Sequence, residues 1–185
     1  MKRLVLGIDQ GAVTGVAAWG DNGYEFSFQD EERPALIQLL KVLHAYTRQR
    51  GEIDVVDAAV EAPFVGKGFG SSLTVAESAG KVTTILWLGG YDRAPWRPMA
   101  SEWRKLLHFD TRRIEQVDGK AKNVAAKRED LEDQARRHAD ALTRCKVPFP
   151  KSKTHEAEAL CIAKAAWLRW EARHAITTNT MREHT

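Results

Sequence analysis

The chain has 185 residues, 43% hydrophobic and 29% charged, with a formal net charge of +3, which is the composition of an ordinary soluble globular protein. No apolar run is long enough to cross a bilayer, and the first residues lead directly into a strand-like run, so we expect neither a membrane span nor a signal peptide. Cys145 and Cys161 have no paired spacing, which argues against a zinc site or a disulfide framework and favours a reducing cytoplasm.

The positive charge is concentrated in one half of the chain. Residues 104–153 contain 14 Lys and Arg against 8 Asp and Glu, so the rest of the chain is slightly acidic. This distribution is consistent with a polyanionic partner, and equally with solvated helices that carry stabilising Glu/Lys pairs.

The first half of the chain predicts a strand meander, a helix and a further strand. The apolar run at 4–8 is too short for a helix and predicts a buried strand, 14–19 predicts a second strand, and the Asp-Asn-Gly turn at 21–23 leads into a third strand at 24–28. The following segments predict a helix at 34–50 and a central strand at 53–60.

The second half predicts mainly helices. A glycine-rich loop at 64–70 precedes a helix at 71–88, which ends at two glycines. The remaining predicted segments are a weak strand at 94–99, a short helix at 101–107, an irregular polar stretch at 108–120, and helices at 123–142 and 154–173. This order predicts an α/β fold, in which a three-strand antiparallel meander and parallel strands form a mixed sheet flanked by helices. We expect a single domain at 1–173 and a flexible tail at 174–185.

Three acidic residues occupy positions where a carboxylate is costly. Asp9 and Glu61 each end an apolar run, and burying a carboxylate there requires a compensating cation. Glu158 follows early in the last predicted helix, three residues after His155, so the two share a face that continues as Cys161. Individually, these residues are also explained as a turn aspartate, a surface carboxylate, a helix N-terminal acid and a core histidine. Together they predict a metal site.

Helix geometry separates Glu158 from its neighbour Glu156. Glu156 lies about 100° or more away around the helix axis from the apolar face, so we expect it to face solvent. It would then take no part in the site.

Five segments in order resemble RuvC-type Holliday junction resolvases. They are residues 7–15 (GIDQGAVTG), 60–64 (VEAPF), 76–80 (AESAG), 122–127 (KNVAAK) and 154–163 (THEAEALCIA). The resemblance covers most of the chain and implies an RNase H-like nuclease fold and a homodimer that cuts four-way DNA junctions symmetrically. Two features depart from the family pattern: the final acid is Glu158 where the family usually has Asp, and a polar insertion follows Leu107. We therefore expect a divergent or phage-encoded member.

The chemistry follows from the residue types. Phosphodiester hydrolysis is supported by two divalent ions about 4 Å apart, one activating water and one stabilising the leaving oxygen. We expect Mg²⁺ or Mn²⁺ bound by Asp9, Glu61 and Glu158, with Asp9 bridging the ions. His155 either binds a metal or transfers a proton.

The expected DNA contacts are basic and aromatic side chains. Phe64 occupies the position where the family places an aromatic residue that stacks on a junction base, or else it is a core residue. Phe69, between two glycines, is a second stacking residue. The expected phosphate contacts are Lys67, Lys105, Arg112, Arg113, Lys120, Lys122 and Lys127.

Other functions share parts of this pattern. An RNase H-like nuclease acting on RNA–DNA hybrids or flaps would have the same metal site, and a catalytically inactive junction-binding module would lack the intact acidic set. An actin-like or sugar-kinase ATPase shares the first motif but needs two such domains. We expect a junction nuclease of DNA recombination and repair in a bacterial or phage-infected cytoplasm, with a branch-migration helicase or host recombination proteins as further partners.

Overall fold

The structure, a computed structural model, describes residues 2–50, 53–62, 69–91, 93–117, 120–143 and 149–182. Its elements in chain order are β1 (Lys2–Asp9), β2 (Val13–Gly20), β3 (Gly23–Glu31), α1 (Glu32–Arg50), β4 (Ile53–Val60), α2 (Phe69–Leu88), α3 (Ala100–Leu106), β5 (Arg112–Val117), β6 (Lys120–Ala125), α4 (Arg128–Thr143), a 3₁₀ turn (Lys151–Lys153) and α5 (Thr154–Arg182). No helix in these ranges is long and apolar enough to span a membrane.

A four-stranded mixed sheet in the order β3-β2-β1-β4 forms the centre of the fold. The meander β1–β2–β3 is antiparallel and β4 lies parallel to β1, as the sequence predicts. Beyond β4 the chain runs parallel to it for a short distance: Trp96 N–H donates to Ala58 O at 2.7 Å, and Val60 N–H donates to Trp96 O at 2.8 Å. Only an isolated bridge forms there, because Pro95 and Pro98 have no N–H to extend a ladder.

Helices cover both faces of the sheet. Helices α1 and α2 pack on one face of the sheet. Because side chains alternate between the two faces along a strand, every second strand residue points toward these helices. The core on this face contains Leu6, Ile8, Val16, Val60, Leu39, Val82 and Leu86. Helix α5 lies on the opposite face, with α3 and α4 beside it. The mixed sheet flanked by helices therefore confirms the predicted fold class.

Helix α5 approaches the sheet to main-chain contact at two glycines. A methyl group on Gly7 would overlap the carbonyl oxygen of Ala159, and one on Gly15 would overlap the carbonyl oxygen of His155. The first turn of α5 is also held by β3, since Gln29 Oε1 accepts a hydrogen bond from Glu156 N–H at 2.9 Å. These contacts place the start of α5 over the last residues of β1 and the first residues of β2.

The prediction for residues 108–120 is wrong. Strands β5 (Arg112–Val117) and β6 (Lys120–Ala125) form a separate antiparallel pair, and the helix predicted to begin at 123 begins at Arg128 instead. Val117 pairs with Lys120 across the two residues Asp118 and Gly119, and Asp-Gly is a favoured hairpin connection that the sequence analysis passed over.

The last helix is also longer than expected. Helix α5 continues from residue 174 to Arg182, through the segment for which a flexible tail was predicted. The single domain at 1–173 and the flexibility of the tail at 174–185 stay predictions.

Candidate active site

Asp9 and Glu61 lie beside each other at one edge of the sheet. Asp9 is the last residue of β1, and Glu61 directly follows β4, the parallel neighbour of β1. Glu61 N–H donates to Ile8 O at 2.9 Å, which continues the ladder to that point. Parallel strands bring their carboxyl ends to the same edge, so two carboxylates distant in sequence become neighbours.

Helix α5 adds His155 and Glu158 to this edge. His155 Nδ1 lies 2.6 Å from Asp9 Oδ2, and one ligand atom from each of Asp9, His155 and Glu158 lies within 4.8 Å of the others. The spacing of three residues brings His155 and Glu158 to the same side of the helix. The structure therefore places three of the four predicted metal-site residues, Asp9, His155 and Glu158, within ligand distance of one another. Glu61 lies at the same edge of the sheet and is affected by the charges of Asp9 and Glu158, but it is not part of that close cluster.

The carboxylates of the site repel one another. Burial, with the negative charges of Asp9 and Glu158, raises the pKa of Glu61 to about 8. Burial, with the charge of Asp9, raises the pKa of Glu158 to about 7, although Arg104 opposes the shift. His155 differs, because its hydrogen bond to Asp9 raises the pKa of the imidazole. Three carboxyl groups thus share a site in which ionisation is costly without a further cation.

The donor set fits a hard divalent cation. Carboxylate oxygens are the ligands that Mg²⁺ and Mn²⁺ prefer, and a single imidazole is compatible with Mn²⁺ in particular. Such an ion would lower the raised pKa values of Glu61 and Glu158, because a nearby positive charge stabilises the ionised carboxylates. Asp9, Glu61, His155 and Glu158 could hold it.

Arg104 is a member of the site that the sequence analysis missed. Its Nη2 donates to Glu158 Oε1 at 3.0 Å, and both side chains are largely buried. The guanidinium also lies over the ring of Trp103, with 4.8 Å between Cζ and the ring centroid. Lys105, the neighbouring residue that was predicted to contact DNA, is exposed on α3. No local pattern points to Arg104, because its partner Glu158 lies 54 residues away in the sequence.

The expectation for Glu156 is wrong. Glu156 is only 5% exposed: Ser27 Oγ donates to its Oε1 at 2.6 Å, and Lys153 Nζ lies 3.0 Å from its Oε2. It faces β3 and not the sheet edge that carries Asp9 and Glu61. Glu156 and Glu158 do point to different sides of α5, as the helix geometry predicts. Glu156 is nevertheless buried, because the first turns of α5 are covered on one side by the sheet and on the other by neighbouring helices.

The predicted DNA-contact residues fall into three groups. Phe64 and Lys67 lie outside the described residues. Phe69 is the first residue of α2, and the structure describes its backbone but not its side chain. Lys105 is exposed on α3, and Lys127 is exposed just before α4. The others lie on the hairpin: Arg112, Arg113, Lys120 and Lys122.

Comparison with known proteins identifies the fold. No family model matches the sequence, and no curated protein matches it. Among solved structures, RuvC of Thermus thermophilus in complex with a Holliday junction substrate is similar with a TM-score of 0.55 at 15% identity, covering 88% of this chain and 91% of that one. A second structure of Thermus thermophilus RuvC gives a TM-score of 0.52 at 16% identity, covering 88% of this chain and 92% of that one. The chain has the RNase H-like fold of RuvC.

Proposed function

We propose that this chain is a divalent-metal-dependent endonuclease that cuts four-way DNA junctions. The observation that carries the proposal is the cluster of Asp9, His155 and Glu158, which come from a central strand and from helix α5. Glu61 lies at the same sheet edge, and the raised pKa values of Glu61 and Glu158 indicate too little positive charge for these carboxylates. The fold shared with RuvC, whose structure with a Holliday junction substrate is similar over most of both chains, supports the choice of substrate.

The roles of the residues follow from their positions. Bound Mg²⁺ or Mn²⁺, two ions in this proposal, would activate water and stabilise the leaving oxygen. Asp9 would be the principal carboxylate ligand, and Glu61 and Glu158 would supply the other carboxylate oxygens. His155 is oriented through Nδ1 by Asp9, which leaves Nε2 for a metal or for a proton. Arg104 holds Glu158 in place.

The homodimer is part of the same proposal. Paired cuts on opposed strands need two active sites related by a two-fold axis. Helix α2 buries Val82 and Leu86 against its own sheet, whereas Gly80 and Trp87 face outward, and Trp87 is 66% exposed. A large exposed tryptophan beside small residues is a surface suited to a second copy of the chain.

Cleavage of synthetic substrates tests the function. A four-way junction, a linear duplex, a flap and an RNA–DNA hybrid are incubated with the protein and Mg²⁺ or Mn²⁺, with Asp9→Asn as the control. Paired symmetric nicks on the junction support the proposal. Preference for the hybrid or flap assigns the site to the alternative nuclease class, and junction binding with no cleavage in either metal assigns it to a binding module.

The remaining parts of the proposal concern cellular context. Glu158 in place of aspartate and the inserted hairpin mark a divergent member, for which a phage origin and a cytoplasmic site of action are proposed. A branch-migration helicase or host recombination proteins are its proposed partners.

A further inference from the structure

The β5–β6 hairpin lies between α3 and α4, and each of these helices carries an arginine that interacts with the acidic cluster. On the incoming side, α3 carries Arg104, which binds Glu158. On the outgoing side, Arg128 begins α4, and its pKa is raised by its hydrogen bond to Glu132 and, in smaller part, by the charges of Glu158 and Asp9. The base of the hairpin is closed by a hydrogen bond from Ala126 N–H to Thr111 O at 3.0 Å. DNA with its scissile phosphate at the acidic cluster therefore lies within reach of this hairpin.

One face of the hairpin is attached to the protein body. Residues directly opposite in an antiparallel pair share a face, which here groups Arg113 with Val124 and Glu115 with Lys122. Arg113 contacts Glu115 and also Asp130 of α4, at 3.5 Å. Arg113, Glu115 and Val124 are all partly buried. The positive charge of Arg113 is therefore largely neutralised by Glu115 and Asp130.

The other face of the hairpin is entirely exposed, and we call it the free face. It consists of Arg112, Ile114 and Gln116 on β5 and, opposite them, Ala125, Asn123 and Ala121 on β6. Ile114 at its centre is 76% exposed, more than any other large hydrophobic side chain in the described parts of the chain. The free face contains no acidic residue.

The composition of the free face matches one mode of DNA recognition. Proteins that bind the minor groove use Arg, Asn and Gln there, and many insert an apolar side chain between base pairs. A single exposed isoleucine would mean nothing alone. Here it stands between Arg112 and Gln116 and opposite Asn123, while the alanines leave room for a sugar–phosphate backbone. Its β-branch restricts χ1, so holding it as a wedge costs little side-chain entropy.

We propose that the free face enters the minor groove of the DNA arm held at the active site, and that Ile114 inserts between two base pairs and unstacks them. This inference rests on the proposed function, and it adds a structure-selective contact. Base pairs at a branch point have fewer stacking neighbours to lose, so the wedge favours branched DNA over continuous duplex.

Fluorescence of 2-aminopurine tests the wedge directly, because this base brightens when it unstacks. Four-way junctions carry one 2-aminopurine at successive positions along one arm, and the protein carries Asp9→Asn so that the DNA stays intact. We expect brightening at one step on saturation with protein. Ile114→Ala should remove at least half of it and weaken binding by roughly tenfold, since apolar burial is lost. Ile114→Leu should retain most of the brightening.

Two variants separate the wedge from charge and from folding. Arg112→Ala should keep the brightening at saturation but lower the slope of log K against log salt by roughly one unit, which Ile114→Ala should leave unchanged. Ile37→Ala removes a 43% exposed isoleucine on α1 and should alter neither measurement. Thermal unfolding of Ile114→Ala should match that of the unsubstituted protein.

The results also separate this inference from the proposed function. If the protein with Asp9 intact cuts four-way junctions but Ile114→Ala leaves the brightening unchanged, or if no position brightens, the wedge is refuted and the function stands. A different result would be a protein that leaves four-way junctions uncut but brightens 2-aminopurine in a flap, with the brightening dependent on Ile114. That result supports the wedge and refutes the junction substrate. A protein that binds no DNA refutes both.

Discussion

His155 Nδ1 lies 2.6 Å from Asp9 Oδ2, which joins the first turn of α5 to the end of the central strand β1. The two residues are 146 positions apart in sequence. The hydrogen bond fixes the orientation of the imidazole and assigns one carboxylate oxygen of Asp9 to it. The other oxygen of Asp9 and Nε2 of His155 are then left for the reaction.

We expect Asp9→Asn to abolish cleavage while leaving junction binding intact or tighter. The substitution removes the central charge of the cluster, and because Asp9 is buried at a strand end it touches little DNA. Loss of even a supporting residue in a metal site costs about 10–100-fold, so removal of a central ligand should exceed about 100-fold. Initial cleavage rates and a gel-shift titration measure the two effects. Cleavage at more than a few per cent of the unsubstituted rate would exclude Asp9 from the site.

His155→Ala distinguishes a ligand from a proton-transfer group. If Nε2 binds a metal, the loss of activity should be greater in Mn²⁺ than in Mg²⁺, because imidazole suits Mn²⁺ better. If His155 transfers a proton, the loss should be similar in both metals, and the pH–rate profile should lose one ionisation above the ordinary histidine range, since the hydrogen bond to Asp9 raises the pKa of His155. Rates in both metals across pH 6–9 decide between them. Full activity of His155→Ala in both metals would contradict both roles.

Glu158→Gln and Glu156→Gln should affect different properties. Glu158→Gln removes a ligand and should nearly abolish cleavage. Glu156→Gln weakens the hydrogen bond from Ser27 and the ion pair with the half-exposed Lys153, so we expect a loss of about 1–3 kcal/mol of stability, with the cleavage rate of the folded protein preserved. Urea unfolding and cleavage below the unfolding transition measure these separately. Severe loss of cleavage in folded Glu156→Gln, with Glu158→Gln mild, would show that the site uses the other acid.

The stability of the metal-free protein should fall as the pH rises. The folded-state pKa values of Glu61 and Glu158, about 8 and about 7, lie above the ordinary value of 4.5, so the folded state binds these protons more tightly than the unfolded state. Their contribution is favourable below pH 4.5 and is lost progressively as the pH rises to about 8. Glu61→Gln should therefore raise Tm at pH 8 by several degrees, since about 1 kcal/mol shifts Tm by about 2–4 °C at this size.

Metal should reverse this dependence. Ligands bind metal when deprotonated, so the increase in Tm caused by Mn²⁺ should be larger at pH 8 than at pH 6 in the unsubstituted protein, and small at both in Glu61→Gln. Thermal scans with chelator and with Mn²⁺ at both pH values provide the check. Equal stabilisation by Mn²⁺ at pH 6 and pH 8 would count against Glu61 and Glu158 as ligands.

Arg104→Ala should shift the pH at which the site binds metal. Arg104 lowers the pKa of Glu158, so its removal raises that pKa and moves Mn²⁺ affinity to higher pH, with slower cleavage below pH 8. Arg104→Lys keeps the charge and should show a smaller shift. Isothermal titration with Mn²⁺ at several pH values measures this without cleavage. Identical pH profiles for Arg104→Ala and the unsubstituted protein would mean that Arg104 only packs on Trp103.

Sequence patterns predicted the meander because it depends on short-range signals, and the same kind of signal singled out Asp9 and Glu61. The turn at 21–23 fixes a hairpin, and Asp9 and Glu61 stand out because each ends an apolar run. The β5–β6 hairpin was missed because its strands bury little, so the apolar alternation that marks a strand is nearly absent. Arg104 was missed because its partner Glu158 is 54 residues away, a relationship that no local pattern encodes.

The contacts of α5 with Gly7 and Gly15 make the distance between helix and sheet a property of the main chain alone. No rotamer at these positions can change to accommodate a shift, so the placement of His155 and Glu158 relative to Asp9 has no adjustable part. The opposite layer, formed by α1 and α2, packs through large apolar side chains, where a substitution at one position can be compensated by a change of size at a neighbouring one. Over evolutionary time that layer is free to drift in sequence, whereas the α5 side tolerates not even an added methyl group at either glycine.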